Sequence, residues 1–257
     1  TIAKQVKLLS FQDTYYSNAN NAFYWETSEI HGTVDFICGG GDVFFNKCLL
    51  VGESRSATGK SGEVTLTAPY TDASNTFGYV FDRCIIENRA ASFNFGRAWG
   101  GVPRLAFLNT IINQPNEIAA KRFTAAGMNV PADKFVEFNS MDADGNVVTP
   151  TTNVVKFTKE AKVNEMETVI NAEEAAAYAL DKVFPTWTPA ALASQVTTAN
   201  VTLTDNTLKW DAVNDAFAYA IICNGKIEAI VDAFVTSYAG NDASASYAVR
   251  AAKEMGG

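Results

Sequence analysis

From residue 5 to residue 115 the chain is a succession of short apolar strands separated by turns rich in Gly, Asn and Asp. The clearest are Val6–Leu9, Ala22–Trp25, Val34–Cys38, Val43–Leu50, Val64–Ala68, Gly78–Ile86 and Arg104–Ile112. Between them lies no helical pattern long enough for a βαβ crossover, which argues against a Rossmann or TIM-type sheet. Two features favour a parallel β-helix over a sandwich. Asparagine is abundant, 21 of 257 residues. It tolerates left-handed turns between strands, and stacked Asn side chains can hydrogen-bond from coil to coil. The second feature is recurrence. Phe44-Phe-Asn-Lys-Cys48 and Val80-Phe-Asp-Arg-Cys84 both end an apolar strand in aromatic-x-x-Cys, 36 residues apart. A coil of roughly 20–25 residues accommodates that interval if the Ser-, Thr- and Gly-rich stretch 52–76 loops out.

Past residue 115 the pattern weakens. Lys134–Asn139 and Val154–Thr158 are candidate strands, and Ala172–Val183 reads as an alanine-rich helix with Glu173 and Glu174 in its first turn. Pro185 and Pro189 follow, and a boundary near 190–197 separates domains over 1–195 and 196–257. In the second, Leu208–Trp210, Ala218–Cys223, Lys226–Val231 and Tyr247–Ala251 alternate as strands. Trp210, Tyr219 and Tyr247 suit the core of a small β-sandwich. The fold class read from the sequence is therefore all-β, a parallel β-helix followed by a sandwich-like domain.

Composition narrows the function. Lys and Arg number 20 against 28 Asp and Glu, a net charge of −8, so a nucleic-acid surface built on phosphate contacts is a poor fit. With the single histidine, His31, there is no multi-histidine metal site. Cys38, Cys48, Cys84 and Cys223 form no CxxC pair, and no run of about 18 apolar residues spans a membrane. The chain opens at Thr1 without a basic-then-apolar leader and closes on Gly256-Gly257. Both ends look cut, and the expectation is a piece of a longer protein.

The chemistry is concentrated in two places. Gln12-Asp13-Thr14 ends an early strand, and Val34-Asp35-Phe36 follows 22 residues later, about one coil. Stacking at about 4.8 Å would set Asp13 and Asp35 side by side. Two carboxylates that close do not ionise together easily, which supplies one acid and one nucleophile or base. Arg97 would hold the ionised partner in a bidentate grip, and the Gln12 amide would meet developing negative oxygen. Trp99 and Phe36 would offer flat apolar surfaces to a sugar ring. The bland alternatives are Asp13 and Asp35 as strand-end caps, Arg97 as a strand-end charge, and Gln12 as part of a side-chain ladder. His31 reads as an exposed turn residue, and Cys48 and Cys84 as buried apolar spacers. Asp142-Ala-Asp144-Gly-Asn146 begins like a calcium loop but has Asn153 where the twelfth-position glutamate belongs.

Phe11-Gln-Asp-Thr14, Gly32-Thr-Val-Asp-Phe-Ile-Cys-Gly39, Val43-Phe-Phe-Asn-Lys-Cys48, Gly78-Tyr-Val-Phe-Asp-Arg-Cys-Ile85 and Gly96-Arg-Ala-Trp99, in this order, resemble the pectin methylesterase family. The resemblance covers about residues 5–190 and is faintest after 115. It implies a right-handed parallel β-helix that hydrolyses methyl esters of homogalacturonan, releases methanol, and uses no metal or other cofactor. It implies Asp35 as nucleophile, Asp13 as general acid/base, Gln12 as oxyanion donor, Arg97 as the group orienting the nucleophile, and Trp99 as a sugar contact. It also implies an exported parent: secreted, periplasmic or on the cell surface.

Three features depart from the family. A second oxyanion glutamine, expected upstream of the first aspartate, precedes the start of the chain. Ala98 stands where proline is usual, and a later Gly-Trp pair has no counterpart near Arg122–Asn129. Residues 198–257 resemble a fibronectin type III module that lacks its final strand, on Leu208-Lys-Trp210, Tyr219-Ala-Ile-Ile-Cys-Asn-Gly225 and Tyr247-Ala-Val-Arg-Ala-Ala252. Two rival functions remain: a pectate lyase-like enzyme, which would remove a C5 proton and often use Ca²⁺, and a noncatalytic polysaccharide-binding surface protein. The complete acid pair favours the esterase.

Overall fold

The structure, a computed structural model, describes residues 1–194, 196, 198 and 200–253. It divides into two units, Thr1–Trp187 and Thr188–Gly257. In the first, three parallel sheets run side by side along one axis, and the first five coils each give one strand to each sheet in turn. The first sheet takes Ile2–Lys4, Ala22–Glu26, Asp42–Asn46, Tyr79–Asp82, Arg104–Leu108 and Lys134–Phe138. The second takes Lys7–Leu9, Glu29–Gly32, Leu49–Gly52, Ile85–Asn88, Ile111–Ile112 and Met141–Asp142. The third takes Tyr15–Ser17, Val34–Gly39, Glu63–Thr71, Ser92–Arg97 and Phe123–Thr124. This is the parallel β-helix read from the sequence.

Register gives the length of each coil. Ile2 pairs with Tyr24, Phe23 with Val43, Val43 with Tyr79, Tyr79 with Leu105 and Leu105 with Phe135, so successive offsets are 22, 20, 36, 26 and 30 residues. The long third coil carries its excess outside the strands, in 53–62 and 72–78.

Three runs read from the sequence as single strands are each two strands meeting at a corner. Lys47, Arg83 and Asn109 occupy those corners with φ of 54°, 54° and 51°, and Gln5, Thr27 and Asn139 take the same place in the other coils. A left-handed residue swings the chain from the first sheet to the second without a loop. Apolar periodicity continues through it, which hides the corner from the sequence. Only two of the six corner residues are Asn. In five of the six coils the next residue turns into the interior and is small: Ser28, Cys48, Cys84, Thr110 and Ser140 are all buried. Cys48 and Cys84 are free thiols there.

The core is built in rows. Trp25, Phe45, Phe81 and Phe107 share one register position. Phe45 and Phe81 stack at 4.3 Å and 6°, and Phe81 and Phe107 at 4.5 Å and 7°. A one-residue slip would turn the whole row outward, so this face pins the register. The row ends on Glu137, fully buried and gripped by Arg122 Nε at 2.7 Å and Nη2 at 2.5 Å. Val154–Lys159 and Lys162–Glu167 follow as an antiparallel hairpin. The expected helix over 172–183 is broken. Asn171 and Glu174 form a reciprocal capping box for Ala172–Ala176, but Ala179 is extended (ψ 150°) and a second turn, Leu180–Val183, starts after it.

The second unit holds two three-stranded antiparallel sheets among the described residues. One contains Thr202–Thr204, Thr207–Lys209 and Ser237–Ala239; the other Lys226–Asp232, Ala218–Cys223 and Tyr247–Ala252. Leu208, Trp210, Tyr219, Ile221, Val249 and Ala251 form its core. The division falls after Trp187 rather than near 195. The helical turn Pro189–Leu192 belongs to the later unit, where Lys253 Nζ donates to Ala191 O (3.2 Å) and Ser194 Oγ (3.0 Å).

Candidate active site

Gln12 bridges Val34 and Tyr15 pairs with Ile37, both an offset of 22 residues, so Asp13 lies beside Asp35 on the adjacent rung of the third sheet. Neighbouring rungs are about 4.8 Å apart. Both aspartates have left-handed backbones, with φ of 51° and 49°. Aspartate tolerates that region better than most residues, and strain of this kind concentrates at functional sites. Toward the third coil the register shifts between Val34 and Ile37, a bulge that re-aims the side chain of Asp35. Asp13 and Gln12 are exposed, whereas Asp35 is 3% exposed.

Arg97 ends the strand Ser92–Arg97, two coils beyond Asp35. Its Nε donates to Asp35 Oδ1 at 2.9 Å and its Nη2 to Oδ2 at 2.5 Å, a two-point grip that fixes the carboxylate plane. The hydrogen bond to Asp35 holds the guanidinium above its ordinary range, against the opposing effect of burial. Tyr16, Cys38 and Ala68 occupy one register column of the same sheet. Burial first, and then the carboxylates of Asp13 and Asp35, push the Cys38 thiol up to about 12. Cys38 is therefore a neutral thiol at ordinary pH rather than a nucleophile.

Trp99 is half-buried. It meets Tyr70 edge to face at 5.4 Å and 81°, and Tyr16 at 6.5 Å and 64°. Tyr16 and Tyr70 are themselves 58% and 42% exposed, so three rings line this side of the site. The following residue, Gly100, leaves room for Tyr70: a Cβ there would sit 2.3 Å from the ring.

Asp13, Asp35 and Arg97 thus meet on the third sheet, Trp99 packs beside them on Tyr16, and Gln12 precedes Asp13 on the same rung. Phe36 does not join them. It is fully buried in the core and packs on Gly32, where a Cβ would lie 2.1 Å from Phe36 Cβ. The bulge that turns Asp35 outward sends its neighbour inward, so Phe36 offers no surface to a sugar. His31 is also corrected. It is buried, not an exposed turn residue, with Nδ1 2.6 Å from Glu53 Oε1 and Nε2 2.5 Å from Glu29 Oε1. Sequence reasoning missed Tyr16 and Tyr70. Tyr16 carried a signal, three residues past Asp13 on the strand that follows it. Tyr70 carried none, because the loop 53–62 hides its register. In the stretch 122–129, the backbone N–H groups of Met128 and Asn129 donate to Ala98 O (2.8 Å) and Trp99 O (3.0 Å). Asp142 accepts hydrogen bonds from Asp144 N (3.0 Å) and Asn146 N (2.8 Å), satisfying its own loop. No cluster of metal-ligating side chains is present among the described residues.

The parallel β-helix thus carries an arginine-held carboxylate and a second acid on neighbouring rungs of one sheet, beside a wall of aromatic rings. The chain belongs to the pectinesterase family, whose family model matches residues 1–134. It is 32% identical over 199 residues to pectinesterase A of Dickeya chrysanthemi, covering 72% of this chain and 53% of that protein. Among solved structures it is similar to a pectin methylesterase in complex with a hexasaccharide, with TM-score 0.51, 25% identity, and coverage of 73% of this chain and 58% of that one. Pectin methylesterase PemA from Erwinia chrysanthemi matches with TM-score 0.50, 25% identity and the same coverages of 73% and 58%. The chain spans about half the length of pectinesterase A.

Proposed function

We propose that this chain carries the reacting face of an enzyme that hydrolyses methyl esters of homogalacturonan. The observation that supports this most strongly is the two-point hold of Arg97 on Asp35, one rung from Asp13. In this reading Arg97 orients Asp35 as the nucleophile and Asp13 serves as the general acid. Asp35 attacks the C6 ester carbonyl, and the Gln12 amide donates to the oxyanion as it forms. The tetrahedral intermediate collapses by breaking the bond to the methoxy oxygen, which takes the proton of Asp13 and leaves as methanol. Asp13, now a carboxylate, takes a proton from water. The resulting hydroxide attacks the acyl-enzyme, freeing the galacturonate carboxyl and restoring Asp35. Trp99, Tyr70 and Tyr16 hold sugar rings along the sheet.

Homogalacturonan lies outside the cell, so the site of action is extracellular, periplasmic or on the cell surface. No helix among the described residues is long and apolar enough to cross a membrane. We read the second unit as a partial fibronectin type III-like module, supported by its two three-stranded antiparallel sheets around Trp210 and Tyr219. The test of function is product analysis on methylated homogalacturonan. Methanol without ultraviolet-absorbing unsaturated uronide supports the esterase. Unsaturated uronide supports the lyase, and bound polymer with neither product supports a binding role.

A further inference from the structure

Behind the aspartate pair, the second sheet carries a line of alternating charge across four coils. Lys7 Nζ lies 2.8 Å from Glu29, Glu29 2.5 Å from His31 Nε2, His31 Nδ1 2.6 Å from Glu53, Glu53 3.0 Å from Arg89, and Arg89 2.8 Å from Glu87. These are the charged groups that face His31, from its own strand and from the coils before and after it. Neutral imidazole has one N–H and one lone pair, and an ionised carboxylate only accepts. Both contacts of His31 are hydrogen bonds only if both ring nitrogens carry protons. Without one proton, a lone pair faces a carboxylate oxygen at about hydrogen-bond distance, inside a site where the imidazole is 5% exposed. Glu29 suits the charged arrangement: Lys7 first and His31 next hold its carboxyl below the ordinary range.

The backbone of the same residue is strapped to the candidate active site. His31 O accepts from Thr14 Oγ1 at 2.7 Å, next to Asp13. Thr33 donates to Phe11 O through its N–H (2.5 Å) and its hydroxyl (3.1 Å), and Glu53 N donates to Gly32 O at 2.8 Å. Asp35 follows two residues after Thr33.

The geometry points to His31 as a positioning residue: in its doubly protonated form it ties the coils of Glu29 and Glu53 together and thereby sets Asp13 against Asp35. This rests on the reading of the two aspartates as the reacting pair. Loss of the imidazole proton breaks the line of charge at its centre and loosens the strap. The single histidine makes the readout unambiguous.

The test is a pH titration of the chain by ¹H–¹⁵N NMR and urea unfolding, beside His31→Gln and Glu53→Gln. The imidazole should show two ring N–H groups at the acid end. As one is lost, the amides of Thr14 and Asp35 should shift with the same midpoint and the unfolding constant should rise about tenfold. His31→Gln should lack that step in both readouts. Glu53→Gln, which keeps the imidazole but removes one carboxylate, should shrink the step at Thr14 and Asp35. Methanol release from the unaltered chain should fall across the same midpoint, a fall absent in His31→Gln. Ring titration without movement at Thr14 and Asp35, or the same step in His31→Gln, overturns the proposal. Should His31→Gln fail to fold, an undiminished step at Thr14 and Asp35 in Glu53→Gln overturns it. No methanol at any pH, with the NMR steps present, counts against the esterase reading while upholding the coupling.

Discussion

Arg97 reaches across two coils to hold both oxygens of Asp35, with Nε at 2.9 Å and Nη2 at 2.5 Å. The grip is possible because the bulge at Asp35 turns a nearly buried carboxylate toward a side chain that starts beside Ala68. A buried carboxylate that loses its paired cation is costly, and one that can rotate is a poor nucleophile.

Arg97→Lys keeps the charge and loses the fork. A single ammonium cannot fix the plane of the carboxylate. The expected result is a fall in kcat of about a hundredfold or more with KM little changed. Steady-state rates of methanol release measure it, and a variant within threefold of the unaltered enzyme would contradict the orienting role.

Phe36 and Trp99 should separate cleanly. Phe36→Ala empties a fully buried site and should cost about 3–5 kcal/mol of stability, read by urea unfolding. Trp99→Ala should leave stability nearly unchanged and weaken binding of a methylated oligogalacturonate by about 0.5–1.5 kcal/mol. Calorimetric titration reads the second effect. Unchanged affinity in Trp99→Ala would remove that ring from the substrate path.

Alkali should destabilise the first unit. Burial pushes the Cys38 thiol and the hydroxyls of Tyr15 and Tyr24 each up to about 12. The unfolded chain releases those protons nearer pH 9 to 10. Each group therefore contributes stability that is fully present below about pH 9 and is lost as pH rises toward 12. Urea midpoints should fall steadily between about pH 9 and 11.5. A flat profile there would mean that these groups are not buried in solution.

The fold was legible because a solenoid repeats its physics. Strand, corner and small buried residue recur, and Phe45 and Phe81 announce one interior row. The corners were not legible, since Lys47 and Arg83 are not residue types that signal a left-handed turn, and apolar periodicity runs through them. At the site, Asp13, Asp35 and Arg97 could be brought together on spacing and resemblance. Phe36 was misplaced because strict alternation does not anticipate the bulge beside it. His31 was misread because its partners, Glu29 and Glu53, meet it only through side-chain reach around the second sheet. Tyr70 lies at the end of a strand whose register is set by a loop of no fixed length.

The most direct test of the central claim is methanol release from methylated homogalacturonan by the protein at its full natural length and by its Asp35→Asn form, both normalised to folded protein. The amide keeps the shape of the carboxylate and part of its hydrogen bonding to Arg97, but it has no charge with which to attack. The account predicts methanol from the unaltered protein, insensitive to chelator, and a loss of at least about a thousandfold in Asp35→Asn. Equal rates from the two would contradict it.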